Sequence, residues 1–153
     1  MRDRMFAADV APPGISPAWF EESAPDARRA MTTLDAALWL DPTLRDLVRL
    51  RTAQLNGCAD RLDKHVRTAL ELGETPRRLA ELSGWRESPQ FDDRERAALE
   101  LAEALALLPG DGALADARHE AEQHFEAHEL AMLLFACVAA NAQDRLELAL
   151  GGR

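Results

Sequence analysis

The chain has 153 residues with 27 acidic and 18 basic side chains, which gives a formal net charge of −9. This length suits one domain with a substantial core. An acidic chain is a poor partner for nucleic acid, which is bound through clustered lysine and arginine, and for anionic membrane surfaces. We therefore expect neither partner. Because the first residues lack the charged and then apolar layout of a secretory signal, we expect a cytoplasmic protein.

Residues 1–23 combine several prolines with scattered apolar side chains, so we expect an extended arm that packs on the body or on a neighbouring subunit. Residues 24–153 are expected to form one helical domain. Pro25 suits the first helical position, and apolar spacing of three and four residues predicts a helix to about Leu40. Asp41 followed by proline is typical of an N-cap and predicts a second helix.

Five further helices are predicted from caps, glycines and apolar periodicity. They are a helix from Cys58 to Gly73, a short one from Thr75 to about Leu82, and three more at Asp92–Leu108, Ala113–Phe125 and Leu130–Ala140. The last is apolar on all sides, which is typical of a buried helix, and it is too short to cross a bilayer. No segment alternates long enough for a strand. The sequence therefore predicts an all-α fold of about seven helices.

Two of these helices meet at Asn56-Gly57, and the second opens on Cys58. At about 100° per residue, Cys58, Arg61 and His65 lie on one face of that helix. A thiol in the first turn of a helix faces unpaired N–H groups and the positive end of the helix dipole, which favour the thiolate. Arg61 acts in the same direction. The pattern predicts a reactive thiol near an imidazole.

The sequence LRDLVRLRTAQLNGCADRLDKHVRTA at residues 44–69 resembles the alkylhydroperoxidase D-like branch of the carboxymuconolactone decarboxylase family. Redox members of this family carry Cys-x-x-Cys-x-x-x-His, with a glutamate twelve residues before the first cysteine. Cys58 and His65 match that motif. Arg61 replaces the second cysteine, and Asp46 replaces the glutamate.

The resemblance covers roughly residues 25–150 and implies the alkylhydroperoxidase D-like helical fold in a trimer or hexamer. It also implies alkyl hydroperoxide reduction, in which a thiolate attacks the peroxide, a donor protonates the alkoxide and a second thiol resolves the sulfenic acid. We expect Cys58 to attack, His65 and Asp46 to relay the proton, and an external thiol to resolve, with no cofactor. Arg61 either lowers the thiol pKa and orients the substrate or fills a solvated position.

Other candidate ligands and thiols have simpler interpretations. Cys137 lies in the apolar run and is expected to be an inert buried thiol, since pairing with Cys58 would need Cα atoms within about 7 Å. His119 and His124 are five residues apart, which turns the second imidazole roughly 140° away on a helix. His124 and His128 share a face, but two ligands do not make a site. We expect no metal.

Two further functions stay open from the sequence. The missing second thiol favours a catalytically silent helical oligomer that binds a small ligand or a protein partner in the former active-site pocket. A lactone decarboxylase would require a pocket in which basic and imidazole groups converge. Five residues have an unreactive interpretation as well: Cys58 as a small core residue, Asp46 as half of a surface ion pair, and the three tryptophans as core or interface anchors.

Overall fold

The computed structural model describes residue 14 and the ranges 16–110 and 112–151. Within these ranges every regular element is helical, which confirms the all-α prediction. The eight α-helices described are α1 Pro17–Ser23, α2 Pro25–Ala37, α3 Pro42–Asn56, α4 Ala59–Glu71, α5 Pro76–Glu81, α6 Asp93–Leu107, α7 Ala113–His124 and α8 Ala127–Ala149. A 3₁₀ turn at Leu82–Gly84 continues α5.

Local capping chemistry sets several of the helix ends. The Asp41 side chain accepts a hydrogen bond from the Leu44 N–H at 3.0 Å, as an N-cap should. Asp92 and Glu95 form a reciprocal capping box at the start of α6. Gly57 ends α3 with φ +68°, a left-handed conformation that glycine adopts without strain. The chain therefore turns sharply between α3 and α4.

The expected N-terminal arm is helical where the structure describes it. Pro17–Ser23 form α1, and the Ser16 side chain accepts from the Trp19 N–H at 3.1 Å. The extended prediction is wrong for this stretch because a serine cap followed by proline at the first helical position favours a helix. The rest of the expected arm, residues 1–13 and 15, lies outside the described residues.

Helix α3 is the centre of the fold. It packs against α4, α6 and α8, while α7 packs on α6. One apolar cluster lies between α3, α6, α7 and α8, and a smaller one lies under α4 and α5. Leu47, Val48 and Leu50 of α3 are almost wholly buried, and each such side chain contributes about 1.5–3 kcal/mol of burial free energy. This packing fixes the end of α3 and the start of α4 against α8.

Helix α8 departs from the prediction in length and in burial. It spans 23 residues instead of the short run Leu130–Ala140. Leu133 and Cys137 face the core, but Phe135 is 52% exposed and Val138 is 53% exposed. The prediction of a helix buried on all sides is wrong because α8 lies at the surface with an apolar outer face. Within the described ranges, no helix has the length and apolar character needed to cross a membrane.

The three tryptophans have different environments. Trp85 belongs to the core, and its indole Nε1 donates to Oε1 of the buried Glu103 at 2.8 Å. Trp39 is 83% exposed in the segment between α2 and α3, and Trp19 is partly exposed on α1. Only Trp85 is therefore a core anchor within the chain. Helix α2 also ends earlier than expected, at Ala37.

Candidate active site

Cys58 lies at the N-cap of α4, where the sequence placed it, but its side chain is 0% exposed. Burial raises the pKa of the thiol above its ordinary value and Asp144 adds to the rise, whereas the backbone N–H and guanidinium of Arg61 lower it. The effect of burial on the thiol pKa is therefore larger than the opposing effect of the helix start. The expected low-pKa thiolate is therefore corrected to a buried thiol that is mostly protonated at neutral pH, in line with the alternative of a small core residue.

Arg61, at the position of the missing second cysteine, is held in a fixed cluster. Its Nε donates to Oδ1 of Asp144 at 2.7 Å, and its Nη2 donates to Oε1 of Gln143. The same Nη2 lies 3.2 Å from Nε2 of His65. The Arg61 side chain is only 13% exposed. The interpretation of Arg61 as a solvated position is therefore wrong.

His65 is buried, and it is neutral at physiological pH. Burial and the nearby Arg61 and Arg49 guanidinium groups lower the pKa of the imidazole to about 3. Because a guanidinium can only donate, Nε2 of His65 must accept the Arg61 hydrogen bond, which assigns the ring hydrogen to Nδ1. Nε2 therefore carries no proton to give to a leaving alkoxide.

Asp46 is buried in α3, which rules out a surface ion pair. Its Oδ1 accepts from Nη1 of Arg49 at 3.3 Å, and Arg49 also pairs with Asp35. Burial raises the pKa of Asp46, although Arg49 opposes the shift. Oδ2 has no hydrogen-bond partner among the described residues, and no hydrogen bond joins Asp46 to His65 there. A direct Asp46–His65 proton relay is therefore absent from the described site.

Sequence reasoning missed three side chains that hold the site together. The Asp144 side chain of α8 is 1% exposed. Its Oδ2 accepts a hydrogen bond from Nδ2 of Asn56 at 3.0 Å, in addition to the hydrogen bond that its Oδ1 accepts from Arg61. The same Asn56 amide donates to Asn141 at 3.1 Å. Burial raises the pKa of Asp144, while its hydrogen bonds lower it. Asn141 and Asp144 follow the apolar run on the inward face of α8, and polar residues at such positions indicate a buried network.

A cavity of about 310 Å³ opens beside Arg61, between α2, α4 and α8. Its lining residues are Arg28, Met31, Thr32, Asp35, Asp60, Arg61, Lys64, Gln143, Leu146, Glu147 and Leu150. The lining thus combines three cationic side chains (Arg28, Arg61 and Lys64) with three acidic ones (Asp35, Asp60 and Glu147), an amide and several apolar groups. Cys58, His65 and Asp46 are not among the lining residues, so a molecule in the cavity meets the guanidinium of Arg61 before it meets the sulfur.

The remaining candidates lie apart from this site. Cys137 is fully buried and unpaired, and burial raises its pKa to about 12, as befits an inert thiol. His119 and His124 of α7 make local contacts with Glu122 and Glu120. In the part of the chain that the structure describes, no group of histidine, cysteine and acidic side chains is arranged to hold a metal ion.

Comparison with known proteins identifies the family. The carboxymuconolactone decarboxylase family model matches residues 25–104, which is more than half of the chain, and the protein belongs to this family. It is 29% identical to the uncharacterized protein YdfG of Bacillus subtilis over 88% of this chain and 93% of YdfG. It is also 40% identical to the uncharacterized protein YnjA of Escherichia coli over 97 residues, which are 61% of this chain and only about half (51%) of YnjA.

The fold is shared with solved structures. ATU0492 of Agrobacterium tumefaciens, a protein of unknown function described as a candidate antioxidant defence protein AhpD, superposes with a TM-score of 0.81 at 28% identity, over 88% of this chain and 94% of that one. The debrominase Bmp8 without ligand gives a TM-score of 0.74 at 17% identity, over 86% and 73% of the two chains. The fold is therefore alkylhydroperoxidase D-like, as predicted.

Proposed function

We propose that this protein binds a small carboxylate-bearing molecule in the cavity beside Arg61, without dithiol redox chemistry. The observation that carries the proposal is the guanidinium in place of the second thiol, fixed by Asp144 on one side and facing the cavity on the other. Nε and both hydrogens of Nη2 are engaged by Asp144, Gln143 and His65, so Nη1 is the guanidinium nitrogen left to donate to a ligand carboxylate. Because Asp144 and Gln143 already orient Arg61, a ligand need not order it.

Several other residues of the cavity lining suit such a ligand. Lys64 lies one turn beyond Arg61 on α4, and Gln143 accepts from Arg61 through its oxygen, which leaves its amide nitrogen as a donor. Asp35 is paired with Arg49, which offsets its negative charge. Met31, Leu146 and Leu150 supply an apolar surface. Asp60 and Glu147 also line the cavity, so the proposal places the carboxylate of a short aliphatic or aromatic acid at Arg61 and Lys64 and its hydrocarbon part on the apolar surface.

Lactone decarboxylation needs more than a binding site. Arg61 and His65 do converge beside the cavity, as that reaction would require. With its pKa near 3 and its Nε2 engaged by Arg61, however, His65 is a weak base and a poor acid. We therefore propose ligand binding without decarboxylation. In this proposal His65 holds Arg61 in position by accepting its hydrogen bond.

Titration calorimetry with benzoate and hexanoate, each compared with its neutral amide, tests the proposal. We expect the acids to bind and the amides to bind at least 10-fold more weakly, because a hydrogen bond to a charged group contributes about 1.5–3 kcal/mol. Arg61→Lys keeps the charge but loses the planar guanidinium and its Nη1 donor, and should weaken binding of the acids by about 10-fold or more. Lys64→Gln provides a second variant.

Arg67→Gln is the matched control, since Arg67 is an exposed arginine of α4 that pairs with Asp63 and does not line the cavity. It should bind like the parent protein. Equal binding of acids and amides, or acid binding that survives both Arg61→Lys and Lys64→Gln, would contradict the proposal.

A second candidate is a one-cysteine hydroperoxide reductase, supported by the position of Cys58 at the start of α4 and by the similarity to ATU0492. In this reaction the Cys58 thiolate attacks one peroxide oxygen, the O–O bond breaks, and the alcohol leaves after taking a proton. The resulting sulfenic acid condenses with an external thiol, releasing water, and a second thiol molecule regenerates Cys58. Burial of the sulfur requires local opening before the peroxide can enter.

Consumption of cumene hydroperoxide with dithiothreitol tests this candidate. Cys58→Ala should abolish turnover, and Cys137→Ala, which alters the other thiol, should retain it. If the parent protein and Cys58→Ala consume peroxide at the same rate, Cys58 is not an attacking thiol. Carboxylate binding without peroxide turnover would separate the first proposal from the second.

We also propose that the protein is a cytoplasmic homo-oligomer. The outer face of α8, with Phe135 and Val138 each about half exposed, supports self-association because large apolar patches are uncommon on the surfaces of monomers. The net charge of −9 argues against nucleic acid and anionic membranes as partners. Sedimentation velocity of the purified protein tests the oligomer.

A further inference from the structure

We propose that the ligand of the cavity beside Arg61 also carries an ammonium group, and that Glu147 of α8 binds it. The inference rests on the carboxylate binding proposed above and narrows the ligand class to short ω-amino acids, which carry the two charges at opposite ends. The carboxylate of such a molecule lies at Arg61 and Lys64, and its ammonium group lies at Glu147, which lines the same cavity.

Two acidic residues of the cavity lining differ in their counterions. Asp35 is paired with Arg49. Glu147 is partly buried, and no side chain in the described part of the chain forms an ion pair or a hydrogen bond with its carboxylate. Partial burial removes some of the water around this carboxylate and leaves its charge uncompensated. A cationic group of a ligand at this position is therefore favoured over a neutral one.

Glu147 also lies at the negative end of a helix dipole. Helix α8 ends at Ala149, so Glu147 is in its last turn, and that turn has no basic residue. The carbonyl groups of a last turn carry partial negative charge, which favours a cation there and disfavours a carboxylate. The carboxylate and the helix end thus attract a cation to the same place, and an ammonium group of the ligand supplies it.

The spacing of Arg61 and Glu147 suits the two ends of one molecule. Nη2 of Arg61 donates to Oε1 of Gln143, which holds the guanidinium beside position 143 of α8. Glu147 follows four residues later on the same face of α8, about 6 Å along the helix axis. Its charge contributes to the raised pKa of Cys58, which places it near the start of α4 as well. A few methylene groups between the charges span this separation, whereas an α-amino acid carries both charges on one carbon.

The size and apolar part of the cavity fit the middle of such a ligand. Leu146 and Leu150 adjoin Glu147 on α8, and they line the cavity together with Met31 of α2. These side chains offer an apolar surface to methylene groups. A volume of about 310 Å³ is at the lower end for small-molecule pockets. The cavity therefore suits a short amino acid better than a peptide.

Titration calorimetry of the full chain with pentanoate, 5-aminopentanoate and its isomer L-norvaline tests the assignment. We expect 5-aminopentanoate to bind about 5-fold more tightly than pentanoate, since a partly exposed ion pair adds a modest increment. L-norvaline should bind more weakly than 5-aminopentanoate. Glu147→Gln should abolish the preference without weakening pentanoate. Glu71→Gln is the matched control and should keep the preference, because Glu71 is also in the last turn of its helix but is exposed and does not line the cavity.

The outcomes separate this assignment from the carboxylate site itself. If neither pentanoate nor 5-aminopentanoate binds to the parent protein, both proposals fail. If pentanoate binds at least as tightly as 5-aminopentanoate, the carboxylate site stands and the ammonium site is overturned. A preference that persists in Glu147→Gln overturns the role of Glu147, and L-norvaline that binds as tightly as 5-aminopentanoate overturns the spacing. Glu147→Lys provides a second variant, which should reverse the preference because the protein then supplies the cation.

Discussion

Replacing Arg61 by methionine should destabilise the protein chiefly through Asp144. Methionine keeps much of the length of the side chain but removes the guanidinium that pairs with Asp144 at 2.7 Å. Asp144 is 1% exposed, and an uncompensated carboxylate at such a site costs about 3–5 kcal/mol. Asn56 still donates to Asp144, so we expect about 3 kcal/mol, or a fall in melting temperature of roughly 6–12 °C for this chain length.

Urea denaturation at pH 7 measures this loss, and Arg61→Met with Asp144→Asn is the matched double variant. The asparagine removes the buried charge, so the double variant should regain most of the lost free energy of unfolding. The penalty should shrink at acidic pH, because the Asp144 carboxyl without Arg61 has an even higher pKa and becomes neutral in the folded state. A single-variant loss below about 1 kcal/mol, or a double variant as unstable as the single one, would refute the reasoning.

Three further outcomes follow from the site and its turn. Cys58 should react with iodoacetamide much more slowly at pH 7 in the native protein than in urea, and equal rates would contradict its burial and raised pKa. The ring signals of His65 should not titrate between pH 5 and 8 by NMR, and its depressed pKa should remove stability as pH falls from about 6.5 towards 3, an effect that is absent in His65→Gln. Gly57 has φ +68°, so Gly57→Ala should lower the free energy of unfolding in urea by about 1–2 kcal/mol. An unchanged free energy of unfolding would show that the turn adapts to the alanine side chain.

The features that depend on neighbouring residues were predictable from the sequence. Asp41 and the Asp92–Glu95 pair form the caps that the sequence indicated, because capping is decided within one turn of helix. The turn at Gly57 and the position of Cys58 at the start of α4 follow from the same local chemistry. The all-α fold follows from these local signals combined with apolar spacing.

The features that depend on distant packing were not predictable. The helix start alone suggested an acidic thiol, but the pKa of Cys58 is governed by burial where α3, α4 and α8 meet. The partner of Arg61 is Asp144, 83 residues away in the chain, and no local pattern connects the two. The exposure of Phe135 could not be predicted because an apolar sequence does not distinguish a face packed on the core from a face at the surface.

The Arg61–Asp144 pair constrains how this lineage can change. Replacing Arg61 by cysteine alone would leave the Asp144 carboxylate unpaired in the interior, so a change at position 61 is tolerated better when position 144 changes with it. The same epistasis acts in the other direction, since loss of Asp144 would leave Arg61 without its buried counterion. Among relatives, the identities of these two positions should therefore vary together, and a cysteine at position 61 should coincide with an uncharged residue at position 144.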